Sequence, residues 1–302
     1  MALSFYNLKK WWLMISGKSV WHVNQDMGKN FLPDKLAGYY NNLTEKVTMK
    51  PELMESDELP ILITEDGSSV YFPVAIFQYG LGAYDLFLQT KDGKYFEKFM
   101  QCARWALNFQ ENTGAWNNFF HEYPESPYGA MCQGEGASLL LRAYKETGDE
   151  DYLNAALIAL DFMLLPVEKG GASQYIGDDL ILLEFTHLPA VLNGWVFALF
   201  GLHDAVVSGH GEKYREALNR TIKTLSSYLP LFDNGYWSLY DLDGKLTSPF
   251  YHDLHIAQMQ AMYLISKCEV FNETATRWSN YGKSKTKKAK AFIKKVWQKI
   301  RE

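Results

Sequence analysis

Apolar positions along this chain fall into pairs of helical patterns separated by short polar turns. Tyr84 to Tyr95, Tyr144 to Tyr152 and His203 to Tyr214 each enclose such a turn, respectively Thr90-Lys91-Asp92-Gly93, Thr147-Gly148-Asp149 and Ser208-Gly209-His210-Gly211. The pattern before the turn is apolar on nearly every face, as in Leu139-Leu140-Leu141 and in Trp195, Val196, Phe197 and Leu199. The one after it is amphipathic, as in Tyr95, Phe96, Phe99, Cys102, Ala103 and Ala106, and again in Tyr152, Ala155, Ala156, Ala159 and Leu160. A helix apolar all round is buried, whereas one with a single stripe keeps a face in water. The alternation therefore predicts an inner and an outer ring. With a fourth, degenerate unit from Met262 to Trp278, a repeat of about sixty residues predicts a mainly α fold, an incomplete (α/α) toroid or barrel of helix hairpins with its loops around a central cleft.

Gly- and aromatic-rich stretches fit those loops, among them Asn112 to Trp116, Tyr175 to Asp179 and Asp233 to Trp237. Asn234-Gly235 ahead of Tyr236, Trp237 and Leu239 is a hairpin signal, so a small β-ribbon is expected near the cleft, carrying Tyr240. Before Tyr71 the pattern is irregular, with extended pieces at Trp21-His22-Val23 and from Ser68 to Val74. We accordingly divide the chain into an N-terminal extension, 1–70, packed on the core, and a toroid domain, 71–302. The apolar run Trp11-Trp12-Leu13-Met14-Ile15 is too short to span a bilayer and reads as an aromatic-rich first helix.

Composition changes this picture only at the margins. A chain of 302 residues, 47% hydrophobic, has enough apolar material for one large core or two smaller ones. Its net charge of −5 gives no support to nucleic acid as a partner. Three scattered cysteines, Cys102, Cys132 and Cys268, have neither metal-ligand spacing nor a disulfide framework, which favours a reducing, cytoplasmic setting. The Lys-rich end, including Lys283, Lys285, Lys287, Lys288, Lys290, Lys294, Lys295 and Lys299, is either a surface for polyanions or the solvated face of a terminal helix with Phe292, Ile293, Val296, Trp297 and Ile300 on its apolar side.

Candidate chemistry concentrates between Tyr251 and Gln260, where His252, Asp253, His255 and Gln258 crowd one window. In a helix His252, His255, Gln258 and Met259 occupy adjoining positions and form a polar stripe. It has two structural readings, Asp253 as a cap and histidines satisfied by the backbone, beside the functional one.

This window resembles the Tyr-His-x-x-His-Ile-x-Gln segment of the D-glucuronyl C5-epimerases, and four other stretches match the family in the same order. Tyr71-Phe72-Pro73-Val74 with Gln78-Tyr79-Gly80-Leu81 resembles Tyr-x-Pro-Ile and Gln-Tyr-Gly-Leu. Ala130-Met131-Cys132-Gln133-Gly134-Glu135 with Leu141-Arg142-Ala143-Tyr144 is similar to Ala-Met-x-Gln-Gly-Gln and Leu-Val-Arg-Ala-Tyr. Val191-Leu192-Asn193-Gly194 with Phe200 to Asp204, and Leu229 to Asp233 with Tyr240-Asp241-Leu242, match Val-Leu-Asn-Gly, Gly-Leu-Tyr-Asp, Leu-Pro-Leu-Tyr-Asp and Tyr-Asp-Leu. Five fragments in register from Tyr71 to Gln260 make the resemblance specific.

The resemblance implies C5 inversion of a uronic acid, D-glucuronate to L-iduronate, in an anionic polysaccharide such as a heparosan-type chain, without metal or other cofactor. It also implies that the β-rich domain of the larger animal epimerases is missing here, and it allows a homodimer. Inversion needs a base on one face of the sugar, an acid on the other and donors for the carboxylate. The resemblance places Tyr240 and Tyr251 at that centre, with Glu184 and His252 as further catalytic candidates. His255, Gln133, Asn193, Tyr71, Trp116 and Arg142 are the expected substrate-binding residues. The chain departs from the family twice. Glu184-Phe185 replaces Glu-Tyr, so Glu184 or a nearby tyrosine such as Tyr175 is expected to supply the lost proton transfer. Asp243 replaces the arginine after Tyr-Asp-Leu, so Lys245, His252, His255 or Arg142 is expected to neutralise the substrate. Other readings are a glycoside hydrolase or lyase on the same toroid, using carboxylates from Glu184, Asp241, Asp253 and Glu135, and a silent glycan-binding protein keeping an aromatic cleft of Trp116, Tyr128 and Trp237.

Overall fold

A computed structural model describes residues 23–49, 59–64 and 67–301. The expected first helix around Trp11 to Ile15, and Trp21 and His22, lie outside the described residues. The repeats fold as helix hairpins: α1 (Pro73–Thr90) with α2 (Gly93–Phe109), α3 (Ala130–Thr147) with α4 (Glu150–Leu164), α5 (Leu192–Val207) with α6 (Arg215–Tyr228), and α7 (Pro249–Ser266) with α8 (Glu269–Lys283). A last helix, α9, runs Lys285–Arg301. The polar turns do what their residues dictate. Gly148 ends α3 in the left-handed region at φ 71°, and the Asp149 side chain caps α4 by accepting from the Asp151 amide. Asp92 caps α2 in the same way, through Lys94.

The burial asymmetry is the one anticipated from the pattern. Leu192 through Val206 of α5 and Ala130 through Ala143 of α3 are buried without interruption, while α6 buries a single stripe. The inner helices pack in the order α1, α3, α5, α7, each covered by its outer partner, with the thinnest contact between α5 and α7. The arc closes tightly at α3 and α5 because both present glycine. A Cβ on Gly134 would lie 2.6 Å from Ala198 Cα, and one on Gly201 would lie 2.6 Å from Gly134 Cα, so neither tolerates a side chain.

The N-terminal segment is locked onto these inner helices by one buried cation. Arg142 pairs with Asp204 at 2.6 Å and donates to the carbonyls of Ala37, Gly38 and Ser138. Asp85 accepts from the Tyr39 amide, and Tyr40 stacks on Phe200 with ring centroids 3.9 Å apart while donating to Asp204.

Three local readings differ from the sequence expectation. The stretch Tyr175 to Asp179 is not a loop but the turn of a hairpin, β3 (Ser173–Ile176) against β4 (Asp179–Leu182), with Gly177 at φ 56°. Asn234-Gly235 does make a tight turn, its Asn234 carbonyl oxygen Oδ1 accepting from the amides of Tyr236 and Trp237, but the ribbon beyond it is held by isolated bridges, Asp233 to Ser238 and Leu239 to Leu246. Finally, α9 turns its apolar side chains Phe292, Ile293, Val296 and Trp297 outward, not onto the core. It is fixed instead by polar contacts, Lys287 to the Gly235 carbonyl and Gln298 to the Leu246 amide.

Candidate active site

Because each inner helix is followed by an outer helix running back, the inner N-termini gather at one rim. Three connections set their chemistry. Strand β4 leads into Leu183, whose carbonyl accepts from the Ala130 amide at 2.7 Å, so Glu184 is laid against the start of α3. The Glu184 carboxyl then reaches the first turn of α5, where a Cβ on Gly194 would collide with its Oε2 and Cβ. The ribbon is strapped to the same place, with the Leu192 amide donating to the Tyr240 carbonyl at 3.0 Å and the Leu242 amide to Ala190 at 3.1 Å. Ser248 caps α7 by accepting from the Tyr251 amide, with Pro249 at the first helical position. Tyr251 therefore sits in the first turn of α7, edge-on to Tyr240 with ring centroids 5.2 Å apart.

The electrostatics follow from burial. Glu184 Oε2 is buried with no hydrogen-bonding partner, and desolvation pushes its carboxyl up to about 8. Burial, reinforced by the nearby Glu184 charge, raises the phenols of Tyr240 and Tyr251 above their ordinary value. Glu135 lies deeper, taking one hydrogen bond from Gln78 at 2.8 Å; desolvation raises it to about 8, and the facing Lys46 and Glu184 also act on it. On α7, Tyr251, His255 and Gln258 follow one another at i, i+4 and i+7 and so share a face. Gln258 donates to the Asn193 carbonyl at 3.1 Å, while Gln258 Oε1, Asn193 Oδ1 and His255 Nε2 are buried without partners.

Residues 101–280 match the family described as D-glucuronyl C5-epimerase C-terminus. The chain belongs to this family. The D-glucuronyl C5-epimerase of Caenorhabditis elegans is 29% identical over 219 residues, 63% of this chain and 36% of that protein. An uncharacterized protein of Methanocaldococcus jannaschii is 33% identical over 160 residues, 50% of this chain and 51% of that one. The chain thus spans about a third to a half of the length of these curated relatives. A solved structure of a UGL variant with dGlcA-Glc-Rha-Glc superposes with a TM-score of 0.48 at 13% identity, over 69% of this chain and 61% of that one.

Of the residues expected from the family resemblance, Glu184, Tyr240, Tyr251 and Asn193 come together at this rim, and His255 sits behind it, its Nδ1 3.3 Å from Ser238 Oγ and its ring 5.9 Å from that of Trp278. Four others are spent inside the walls. His252 Nδ1 accepts from the Ser238 amide, its Nε2 faces the Trp278 carbonyl at 3.0 Å, and its ring stacks on Trp237 at 3.7 Å. Burial holds it neutral, down to about 4. Gln133 clamps Trp116, accepting from its amide and donating to its carbonyl, and the Trp116 indole donates to Ala106. Arg142 is consumed by Asp204 at the far part of α3. Tyr71 stands in β2 (Ser69–Tyr71), paired with β1 (Ile61–Ile63), 6.1 Å from the Trp105 ring on the outer layer.

Of the expected substitutes for the missing functions Glu184 reaches the site, whereas Tyr175 does not and the candidates for the lost arginine are paired or neutral. Tyr175 donates to the Leu164 carbonyl and lies under Arg220. Lys245 pairs with Asp241 at 3.2 Å, and His255 is driven down to about 3 by burial, then by His252. The phenol missed by sequence reasoning is Tyr123. It packs edge-on to Phe185 at 5.8 Å and lies within electrostatic reach of Tyr240. The aromatic run Phe119-Phe120-His121 just before it is its only sequence signal.

Proposed function

We propose that this chain inverts C5 of a uronic acid within a polysaccharide, D-glucuronate to L-iduronate, by proton removal on one face and proton return on the other. The observation that carries the reading is the Glu184 carboxyl, whose Oε2 is buried without a partner, within electrostatic reach of two phenols that burial keeps protonated. Glu184, as carboxylate, takes the C5 proton, and the electron pair left at C5 delocalises into the substrate carboxylate. A phenol, Tyr240 or Tyr251, returns a proton to the opposite face. Each group then regains its starting state by exchange with solvent, and the reverse direction exchanges the two roles.

A carboxyl near 8 is about one-tenth ionised at pH 7, so both Glu184 and Glu135 leave the cleft with little negative charge. That favours entry of an anionic sugar even though Asp243 stands where the family has arginine. The positive ends of α3, α5 and α7 add to this. With Lys245 and Arg142 engaged elsewhere, phenol and amide donors are left to hold the growing charge on the substrate carboxylate.

The test is incubation with a heparosan-type polymer in deuterated water. Deuterium at C5 with intact chain length supports the reading. Shortened chains would instead establish a hydrolase or lyase, and binding with neither change would establish a silent lectin-like protein.

A further inference from the structure

The face of α9 that points away from the body is apolar, and the face that meets the body is polar. Phe292, Ile293 and Val296 stand at i, i+1 and i+4 and are 56%, 63% and 43% exposed. Ala291 is buried on the other side, where Lys287 and Gln298 bind loop carbonyls and an amide. On a helical projection Lys288 flanks the apolar stripe on its Phe292 edge and Lys290 lies beyond its Ile293 edge, 4.1 Å over the Tyr236 ring, while Lys294 falls on the polar side. From 283 to 301 the sequence holds eight lysines and one arginine and no acidic residue, within a chain whose net charge is −5. This segment thus carries a strong local excess of positive charge on a net-acidic chain.

We propose that α9 is an interfacial helix that lies in the plane of an anionic lipid surface, its apolar stripe in the headgroup and acyl boundary and its flanking lysines on lipid phosphates and carboxylates. Basic amphipathic helices with a bulky apolar face bind such surfaces through both contributions at once. Among the described residues no helix is long and apolar enough to cross a membrane, so the mode is lying on the surface. The charge pattern chooses this occupant over two others. A soluble polyanion would satisfy the lysines and leave Phe292, Ile293 and Val296 in water. A second copy meeting stripe to stripe would bring two rows of lysines together.

Co-sedimentation of the full chain with phosphatidylcholine vesicles, with and without phosphatidylserine, tests this. We expect at least about tenfold tighter binding to the anionic vesicles, weakening as salt is raised. A triple variant, Phe292→Gln with Ile293→Gln and Val296→Gln, should lose about tenfold, and so should the double variant Lys288→Gln with Lys290→Gln. All of these side chains are exposed, so the thermal midpoint should hold. Equal binding to both vesicle types, or unchanged binding by either variant, overturns the proposal. So does a dimer in sedimentation velocity that the triple variant dissolves without any vesicle binding, or lysine-dependent binding of heparin in the absence of vesicle binding.

Discussion

Replacing Glu184 by glutamine removes the ionisable group while keeping its shape, and the structure gives this change opposite effects on activity and stability. In the folded chain the carboxyl titrates near 8 against an ordinary value of 4.5, with desolvation as the cause. Between those two values the unfolded chain has lost the proton that the folded chain retains, so stability falls as pH rises through this window and stays low above it. At about 1.4 kcal/mol per unit, the displacement sets a ceiling of about 5 kcal/mol. The new amide brings an N–H into a place where Oε2 had no partner, which returns about 1–3 kcal/mol. The net expectation is that Glu184→Gln is about 1–3 kcal/mol more stable than the parent at pH 9 and no more stable at pH 5. C5 exchange should fall by about 10²–10⁴-fold at both values. Urea unfolding at the two pH values, together with deuterium incorporation into the polymer, measures both. A parent whose exchange rate does not climb toward pH 8, or a variant that gains nothing on going from pH 5 to pH 9, refutes the assignment of Glu184 as a strained base.

Gly194→Ala should disable the same carboxyl indirectly, because its methyl would displace the Glu184 side chain from Cβ outward; we expect about 10²-fold slower exchange per folded molecule, native circular dichroism and a lowered urea midpoint. Tyr240→Phe and Tyr251→Phe should each keep the fold and the glycan affinity, and the phenylalanine at the returning phenol should cost about 10²–10⁴ in exchange when both are compared by isotope incorporation. Arg142→Met strands Asp204 in the interior and should lower the unfolding free energy by about 3–5 kcal/mol, with exchange per folded molecule unchanged. On the acid side, His252 and His255 are held neutral down to about 4 and 3, so the stability they contribute is complete above pH 6.5 and lost as pH falls from there toward 4, a loss visible in thermal melts.

The hairpins are legible in the sequence because their signals are local. Gly148 and Asp149, or Lys91 and Asp92, act within a few residues of where they stand, and an inner helix such as α5 shows its burial as an unbroken apolar run. The roles of polar residues are not local. Arg142 depends on Asp204, 62 positions away, and His252 on an amide 14 positions earlier; a buried structural polar group and a cleft-lining one look alike before those partners are placed. Glu184, Tyr240 and Tyr251 are reached through family likeness, since nothing in their own spacing brings β4, the ribbon and α7 to one rim. Periodicity also marks α9 as amphipathic without saying which side docks, because polar contacts from Lys287 and Gln298, not apolar burial, decide it.

What separates the two kinds of buried polar residue is whether the protein itself completes them. Around Arg142 each donor group has an acceptor, in Ala37, Gly38, Ser138 and Asp204, and Asp204 in turn also receives Tyr40. That network is closed, and it fixes the N-terminal segment to α3 and α5. At the rim the opposite holds. Glu184 Oε2, Asn193 Oδ1, Gln258 Oε1 and His255 Nε2 are all buried without partners, although each costs about 1–3 kcal/mol in that condition. Packing alone would not retain four such groups between the start of α5 and the facing side of α7, where apolar side chains of similar size would be more stable. Departures from local consistency of this kind collect where a ligand or a moving proton completes the set. The closed network joins α3 to α5 and the open set joins α5 to α7, so the contrast between the two ends of α5 supports the proposed chemistry at its N-terminal rim.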